Sequence, residues 1–259
     1  KGDNINEMGS NLASVDPGTI DNAKFKSVYC GRYHTCSILT NDKAKCWGNN
    51  EFGQLGIGSN TNIIGNTGDT LPFIDFGNTD NIKPILFAVG LLHTCTLFDN
   101  KKVKCFGNGG DGQIGYENTN NIGSSSSHMG NNLPFVNFGT NILVSSIHSY
   151  GSGHHNCIII DISQLMKCWG LNDFYQLGYN DQNNRGSVVD TMGDKLPTLN
   201  LGSESKVLQI SVGYLHTCAI CIDKELRCWG SNSYGRLGLG TTTDPIPTSS
   251  PLFIAIKVD

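Results

Sequence analysis

Four histidines, His34, His93, His155 and His216, each stand two residues before a cysteine, and each cysteine is followed ten or eleven residues on by another within Cys-Trp-Gly or Cys-Phe-Gly. Imidazoles and thiols at such spacing can bind metal or, for the thiols, oxidise in pairs. Zinc would require two Cys pairs to converge, or histidine ligands at short spacing. The pairs Cys36/Cys46, Cys95/Cys105, Cys157/Cys168 and Cys218/Cys228 need no such convergence, because the midpoint of each falls in a predicted turn. Opposed strand positions lie about 4.5–5.5 Å apart at Cβ, within disulfide range. The pattern therefore predicts four disulfides and an oxidising compartment. Because each histidine recurs at the same place in a repeat, a hydrogen bond inside its own unit is expected in preference to a metal ring. The indoles of Trp47, Trp169 and Trp229 resemble a sugar platform but recur beside cysteine, so they are read as packing.

The elements that must position these residues repeat too. The histidines are 59, 62 and 61 residues apart, and a period of that length marks an array of supersecondary units that bury their apolar faces against one another. In the first copy, Gly31 to Leu39 and Ala44 to Gly48 flank the break Thr40-Asn41-Asp42-Lys43 and read as a hairpin. The third copy carries one extra residue, expected as a bulge or longer turn near Asp161. Each hairpin leads into Gly53-Gln54-Leu55-Gly56 or its echoes Gly112-Gln113-Ile114-Gly115, Tyr175-Gln176-Leu177-Gly178 and Gly235-Arg236-Leu237-Gly238. A polar loop, a Met-Gly-x-x-Leu-Pro segment at Met129 and Met192, and an apolar strand such as Ile85–Val89 follow. No segment has helical periodicity. Several short strands and glycine punctuation per sixty residues predict an all-β, propeller-like array of four blades, closed as a ring or left as an arc completed by strand exchange.

These motifs resemble the regulator-of-chromosome-condensation repeat family, in Gly31-His34-Thr35-Leu39, Trp47-Gly48-Asn50 and Gly53-Gln54-Leu55-Gly56-Gly58. The paired cysteines and the Met-Gly-x-x-Leu-Pro segment resemble a branch of that family found in secreted or surface proteins of bacteria and algae. The resemblance implies a β-propeller scaffold for protein interactions. The family's best-known activity, guanine-nucleotide exchange on a small nuclear GTPase, fits neither the disulfide pattern nor the acidic charge.

Eighteen Lys and Arg against 22 Asp and Glu leave a net charge of −4, with no clustered basic footprint for nucleic acid and no polybasic run for a membrane surface. No apolar run approaches the roughly 18 residues of a membrane helix. The chain opens at Lys1 with no basic-then-apolar leader, and a mature or excised product is expected. No nucleophile elbow, phosphate-binding glycine loop or recurring carboxylate pair is present, so no enzyme and no cofactor are expected. The run Asp181-Gln182-Asn183-Asn184-Arg185-Gly186 resembles the start of a calcium loop but lacks its closing glutamate, and surface turns use the same residues.

The units divide as one repeat domain, 1–259, with a leader half-unit at 1–29, units at 30–89, 90–150, 151–212 and 213–251, and a terminal strand at 252–259. Residues 1–12 align on 185–196, a piece that unit four lacks, so the leader is expected to complete the last blade. The tail, with Leu252, Phe253, Ile254, Ile256 and Val258, then reads as a surplus strand available for donation to a neighbouring molecule. Non-closing donation builds filaments. Cys30 and Cys221 stand outside the pairing pattern, in the first and last units, where a closed ring or an adjacent subunit could bring them together; a fifth, closing disulfide is expected in preference to two free thiols. Two functions are compatible with all this, both extracellular or at the cell surface. One is a structural subunit that assembles with itself as a filament or surface layer. The other is an adhesion or interaction domain that binds another surface protein at a propeller face.

Overall fold

The computed structural model describes residues 4, 7–65, 68–78, 81–202, 205–244 and 256–257. It contains four antiparallel sheets, one per repeat. Blade 1 is β1 (Phe25–Cys30), β2 (His34–Leu39) and β3 (Ala44–Gly48); blade 2 is β4 (Pro84–Val89), β5 (His93–Phe98) and β6 (Val103–Gly107). Blade 3 is β7 (Val144–Ser149), β8 (His155–Ile160) and β9 (Met166–Gly170), and blade 4 is β10 (Val207–Val212), β11 (His216–Cys221), β12 (Glu225–Gly230) and β13 (Ile256–Lys257). Among the described residues no helix is long and apolar enough to cross a membrane.

The hairpin register places Cys36 opposite Cys46, Cys95 opposite Cys105, Cys157 opposite Cys168 and Cys218 opposite Cys228. The turns use left-handed residues, Asp42, Lys101 and Lys224, to reverse the chain. In the third unit the β8–β9 ladder is regular, and the additional residue lengthens the turn, where Gln164 N donates to Ile160 O at 3.0 Å. Each first strand has a register shift at its start, as between Phe25 and Ser27.

Outside each third strand the chain returns once more. Ile74 N donates to Ala44 O, Val136 N to Val103 O and Leu199 N to Met166 O, at 2.8–2.9 Å. Blade 4 has the same arrangement, because Ile256 pairs with Leu226, at the position of Ala44, Val103 and Met166. At Ile256–Lys257, then, the tail occupies a fourth-strand place in its own unit and is not surplus there. Leu252, Phe253, Ile254 and Val258 lie outside the described residues.

The part of the leader nearest β1 is held to blade 1. Gly68 N donates to Asp16 O and Thr40 N to Lys24 O, while Thr19 N and Oγ1 donate to Asp69 at 2.8 and 2.6 Å. Residues 16–24 thus pack on blade 1. They fill the role that the segment from Asn137 to Thr140 fills in blade 3, where Thr140 binds Asp194 in the same way.

The core lies between blades. One cluster joins Cys36, Ile38 and Cys46 of blade 1 to Phe87, Val89 and Phe106 of blade 2. A second joins Cys95, Leu97 and Val103 to Ile147, Ile158 and Trp169. The third joins Cys157, Ile159 and Met166 to Ile210, Cys221 and Trp229. In blades 1 to 3, therefore, the trailing face, which carries the disulfide, packs on the leading face of the next blade.

Candidate functional site: the inter-blade clasp and the open blade faces

The recurrent histidines bond across blade boundaries, not within their own blades as the repeat pattern led us to expect. His34 Nε2 lies 2.8 Å from Thr94 Oγ1, and that hydroxyl donates to Gln54 O at 2.8 Å. His93 Nε2 lies 2.8 Å from Asn156 Oδ1, whose Nδ2 donates to Gln113 O at 2.9 Å. His155 Nε2 lies 2.9 Å from Thr217 Oγ1, which donates to Gln176 O at 2.9 Å. Each clasp leaves one blade, touches the next, and returns to the Gly-Gln-Leu-Gly turn of the first.

The clasp fixes the tautomer. A carboxamide oxygen only accepts, and a threonine hydroxyl already donating to a carbonyl must accept from imidazole. Nε2 therefore carries the proton, and the buried Nδ1 atoms have no partner. Burial pulls His34 and His155 down to about 3 and His93 to about 4, from 6.5. A charged ring would lose its solvation here, and at His93 the nearby charge of Asp111 does not offset that loss. Glycine makes room for the ring, since a Cβ on Gly90 or Gly213 would sit 2.1 or 2.0 Å from the Cε1 of His93 or His216.

The tryptophans serve the same boundary. Trp169 Nε1 donates to Gln113 O and Trp229 Nε1 to Gln176 O, both at 3.0 Å. The glutamine carbonyl thus receives two donors from the following blade. The glutamine side chains hold the turn, as where Gln113 Nε2 donates to Asn108 Oδ1 at 3.0 Å and Oε1 accepts from Asp111 N at 2.8 Å. The indoles of Trp169 and Trp229 are packed and bonded within the protein and present no platform for a sugar.

All four cysteine pairs are disulfide-bonded, with Cα atoms 4.1 Å apart. Cys30 and Cys221 are free thiols, the first exposed and the second buried. Cys221 sits buried in the core between blades 3 and 4, where burial raises its pKa, and it is not bonded to Cys30. In the loop from Asp181 to Gly186, Asp181 already binds Arg185 Nη2 at 2.6 Å and Asn183 N at 2.9 Å. Asn184 Oδ1 accepts from Asn172 N at 2.8 Å. These oxygens are employed as turn ligands.

One functional position was overlooked in the sequence. Lys45, Lys104 and Lys167 each precede the second cysteine of a pair and are buried. Lys45 Nζ donates to Pro17 O and Gly68 O at 2.9 Å, Lys104 Nζ to Phe76 O at 2.7 Å and Lys167 Nζ to Phe138 O at 2.6 Å. They tie the outer return strand to the blade, and burial lowers the pKa of Lys45 and Lys167. The signal was present as a basic residue at one fixed place, filled in unit four by Arg227, which binds Asp223 and Glu225 instead.

The two ends of the array differ from its interior. Val28 is 61% exposed, whereas its equivalents Phe87, Ile147 and Ile210 are 3%, 2% and 3% exposed under the preceding blade. Thr35 and Trp47 are half-buried, but Thr94, Asn156, Thr217, Phe106, Trp169 and Trp229 at the same places are buried. At the other end His216, Cys218, Ile220 and Leu226 are half-buried, while their counterparts in blades 1 to 3 are buried. A concave cavity of about 550 Å³ runs along the inner strands of blades 1 to 3, lined by Tyr29, Cys30, Arg32, Val89, His148 and Tyr150 among others.

Comparison with known proteins agrees with this geometry. Models of the regulator of chromosome condensation (RCC1) repeat match residues 25–54, 168–220 and 207–236. The chain is 26% identical over 221 residues to the ultraviolet-B receptor UVR8 of Arabidopsis thaliana, covering 85% of this chain and 44% of that protein. It is 25% identical over 256 residues to mouse Protein RCC2, covering 91% and 46%. The chain thus spans less than half the length of these relatives. Among solved structures, human WBSCR16 superposes with a TM-score of 0.64 at 20% identity, over 90% of this chain and 52% of that one. Prp20p of Saccharomyces cerevisiae does so at 0.65 and 17%, over 91% and 51%. The chain carries repeats of the regulator of chromosome condensation type, and its four blades share the β-propeller fold of these solved structures.

Proposed function

We propose that this protein is a non-enzymatic β-propeller interaction domain that works outside the reducing cytoplasm and assembles with itself through the ends of its blade array. The observation that carries the reading is the contrast at the leading face of blade 1, where Val28 is exposed and every equivalent is buried by a neighbouring blade. An unpartnered apolar sheet face bordered by polar groups is a site for another protein surface. The four hairpin disulfides support an oxidising compartment, either extracellular or at the cell surface. The recurrent histidines support a role without catalysis, because their protons are engaged in the clasps.

Assembly as a filament or surface layer is the form this reading takes if contacts propagate. A second reading, an adhesion domain for another surface protein, draws on relatives in the family. Yeast RCC1 (Prp20) has been solved bound to Kap60, and Prp20p is described by its binding to Gsp1p and histones. Sedimentation velocity of the purified, oxidised chain separates the two. Concentration-dependent association supports self-assembly; a monomer at every concentration contradicts it and leaves the adhesion reading.

A further inference from the structure

We infer that one end of the propeller is a binding face for a neutral saccharide, with Tyr150, Phe174 and Tyr214 as stacking rings and the Asp111–His154 pair as the acceptor of two neighbouring hydroxyls. This site is separate from the self-assembly proposed above and does not depend on it.

Each blade places two loops at the same end. One joins its first and second strands, at 31–33, 90–92, 150–154 and 213–215, and the other follows its third strand, at 49–54, 108–113, 171–176 and 231–236. Backbone bonds hold the two together: Asn49 N donates to Tyr33 O, Asn108 N to Leu92 O, Leu171 N to His154 O and Ser231 N to Leu215 O, at 2.8–3.1 Å. Among the described residues every exposed aromatic side chain lies in these loops: Tyr33, Tyr150, Phe174, Tyr214 and Tyr234. None of the exposed aliphatic ones does, and Ile162 and Ile222 stand in turns at the opposite end. A surface for general protein contact would use both kinds. A pyranose prefers rings, because its C–H bonds carry partial positive charge toward the negative face of the π system. Tyr150, Phe174 and Tyr214 are 46%, 39% and 47% exposed. Next to Phe174, Tyr175 has φ 62°, where Gly53, Gly112 and Gly235 have 82°, 79° and 70°. Glycine takes that left-handed conformation freely and a tyrosine does not. A strained aromatic at a glycine position marks a requirement for its ring.

The polar partner stands among these rings. His154 Nδ1 lies 2.8 Å from Asp111 Oδ2, across the boundary of blades 2 and 3, with both side chains part-exposed. A carboxylate only accepts, so Nδ1 carries the shared proton. The bond leaves Nε2 of the neutral ring and Asp111 Oδ1 unengaged, and two acceptors in one side-chain pair match the two donors of a vicinal diol. Charge selects the same class of ligand. Arg32 and Arg236 lie over the rings of Tyr33 and Tyr234, at 5.1 and 5.9 Å. With Glu51, Asp111 and Asp173 they leave the loops near neutral, so the face complements an uncharged ligand and neither a polyanion nor a polycation. Asp111, Tyr150, His154, Phe174 and Tyr214 stand at strand ends around the boundaries of blades 2, 3 and 4, and not on a face that one blade presents to another.

The test is native gel electrophoresis of the oxidised chain through neutral polysaccharides whose sugars keep a vicinal diol, a glucan, a mannan and a galactan, with alginate as the anionic control. At least one neutral polymer is expected to retard the chain, and the same polymer after periodate cleavage of its diols is expected not to. Tyr150→Ala and Phe174→Ala, both at exposed residues, should each weaken binding by about fivefold or more, with a thermal melt unchanged. Ile162→Ala, at the opposite end, should leave binding as it is. Retardation by none of the neutral polymers, retardation by alginate alone, or equal retardation of Tyr150→Ala and the native chain overturns the site. So does loss of self-association in Tyr150→Ala without retardation by any polysaccharide, which would make these loops a protein contact. Self-assembly itself is read separately, by sedimentation of the native chain.

Discussion

His93 of blade 2 and Asn156 of blade 3 share a buried hydrogen bond of 2.8 Å. Because Asn156 Oδ1 only accepts, this contact makes His93 a neutral Nε2–H donor and ties two repeats separated by 63 residues. Removing the ring leaves Asn156 Oδ1 buried and unpaired and opens space over Gly90. His93→Ala is expected to lower stability by about 2–4 kcal/mol, read as a fall in melting temperature with all disulfides intact. An unchanged melt would remove the clasp from the account.

The same histidines set a pH dependence. Their folded pKa values, about 3 for His34 and His155 and about 4 for His93, lie below the 6.5 of a solvated imidazole. Between those limits the unfolded chain binds more protons, so stability falls as pH drops below 6.5 and is flat in these groups above it. Near pH 5, the three together give a difference of close to three protons on unfolding. Denaturant melts from pH 7 to 5 should show that slope, and His93→Gln should remove about one proton of it.

The three tryptophans are expected to report different environments. Trp169 and Trp229 are buried beneath the preceding blade, while Trp47 is half-buried on an open face. Iodide should quench Trp47 and spare the other two, as single-tryptophan variants with Phe at the remaining sites can resolve. Trp169→Phe keeps an aromatic ring of the kind that Phe106 already places there and loses one hydrogen bond, a cost of about 1 kcal/mol. Trp169→Ala should cost about 3–5 kcal/mol.

Thiol chemistry separates the ten cysteines. Unreduced peptide maps should contain Cys36–Cys46, Cys95–Cys105, Cys157–Cys168 and Cys218–Cys228. A thiol reagent should label Cys30 in the native protein and Cys221 only on unfolding, given their exposed and buried settings. A Cys30–Cys221 peptide would contradict the placement of Cys221 in the blade 3 and 4 core.

The hairpins and their cysteine pairs were legible because the relation is local, ten or eleven residues about a turn. The glycine before His93 and the turn at Gln113 were legible as motif positions too. What the histidine binds was not, because Asn156 stands in the following repeat, and a periodic pattern looks the same whether a contact stays in one unit or steps to the next. The lysine tie was missed for a related reason: Lys104 reaches Phe76 O, a backbone atom that carries no sequence signature. The tail was misread because the alignment of residues 1–12 on 185–196, which left a strand over in unit four, gave no information about which strand Ile256 touches. Residues 16–24 follow blade 1 through Asp69 and Lys45, and Ile256 follows Leu226.

The central claim is that His34, His93 and His155 are neutral donors that clasp adjacent blades, with no metal-binding or proton-transfer role. Nitrogen-15 NMR of histidine-labelled protein measures this directly. At pH 5 the account predicts three rings held as the Nε2–H tautomer, each Nε2 proton protected from solvent exchange. Imidazolium rings at that pH, or Nδ1–H tautomers that leave Nε2 free to coordinate a metal, would contradict it.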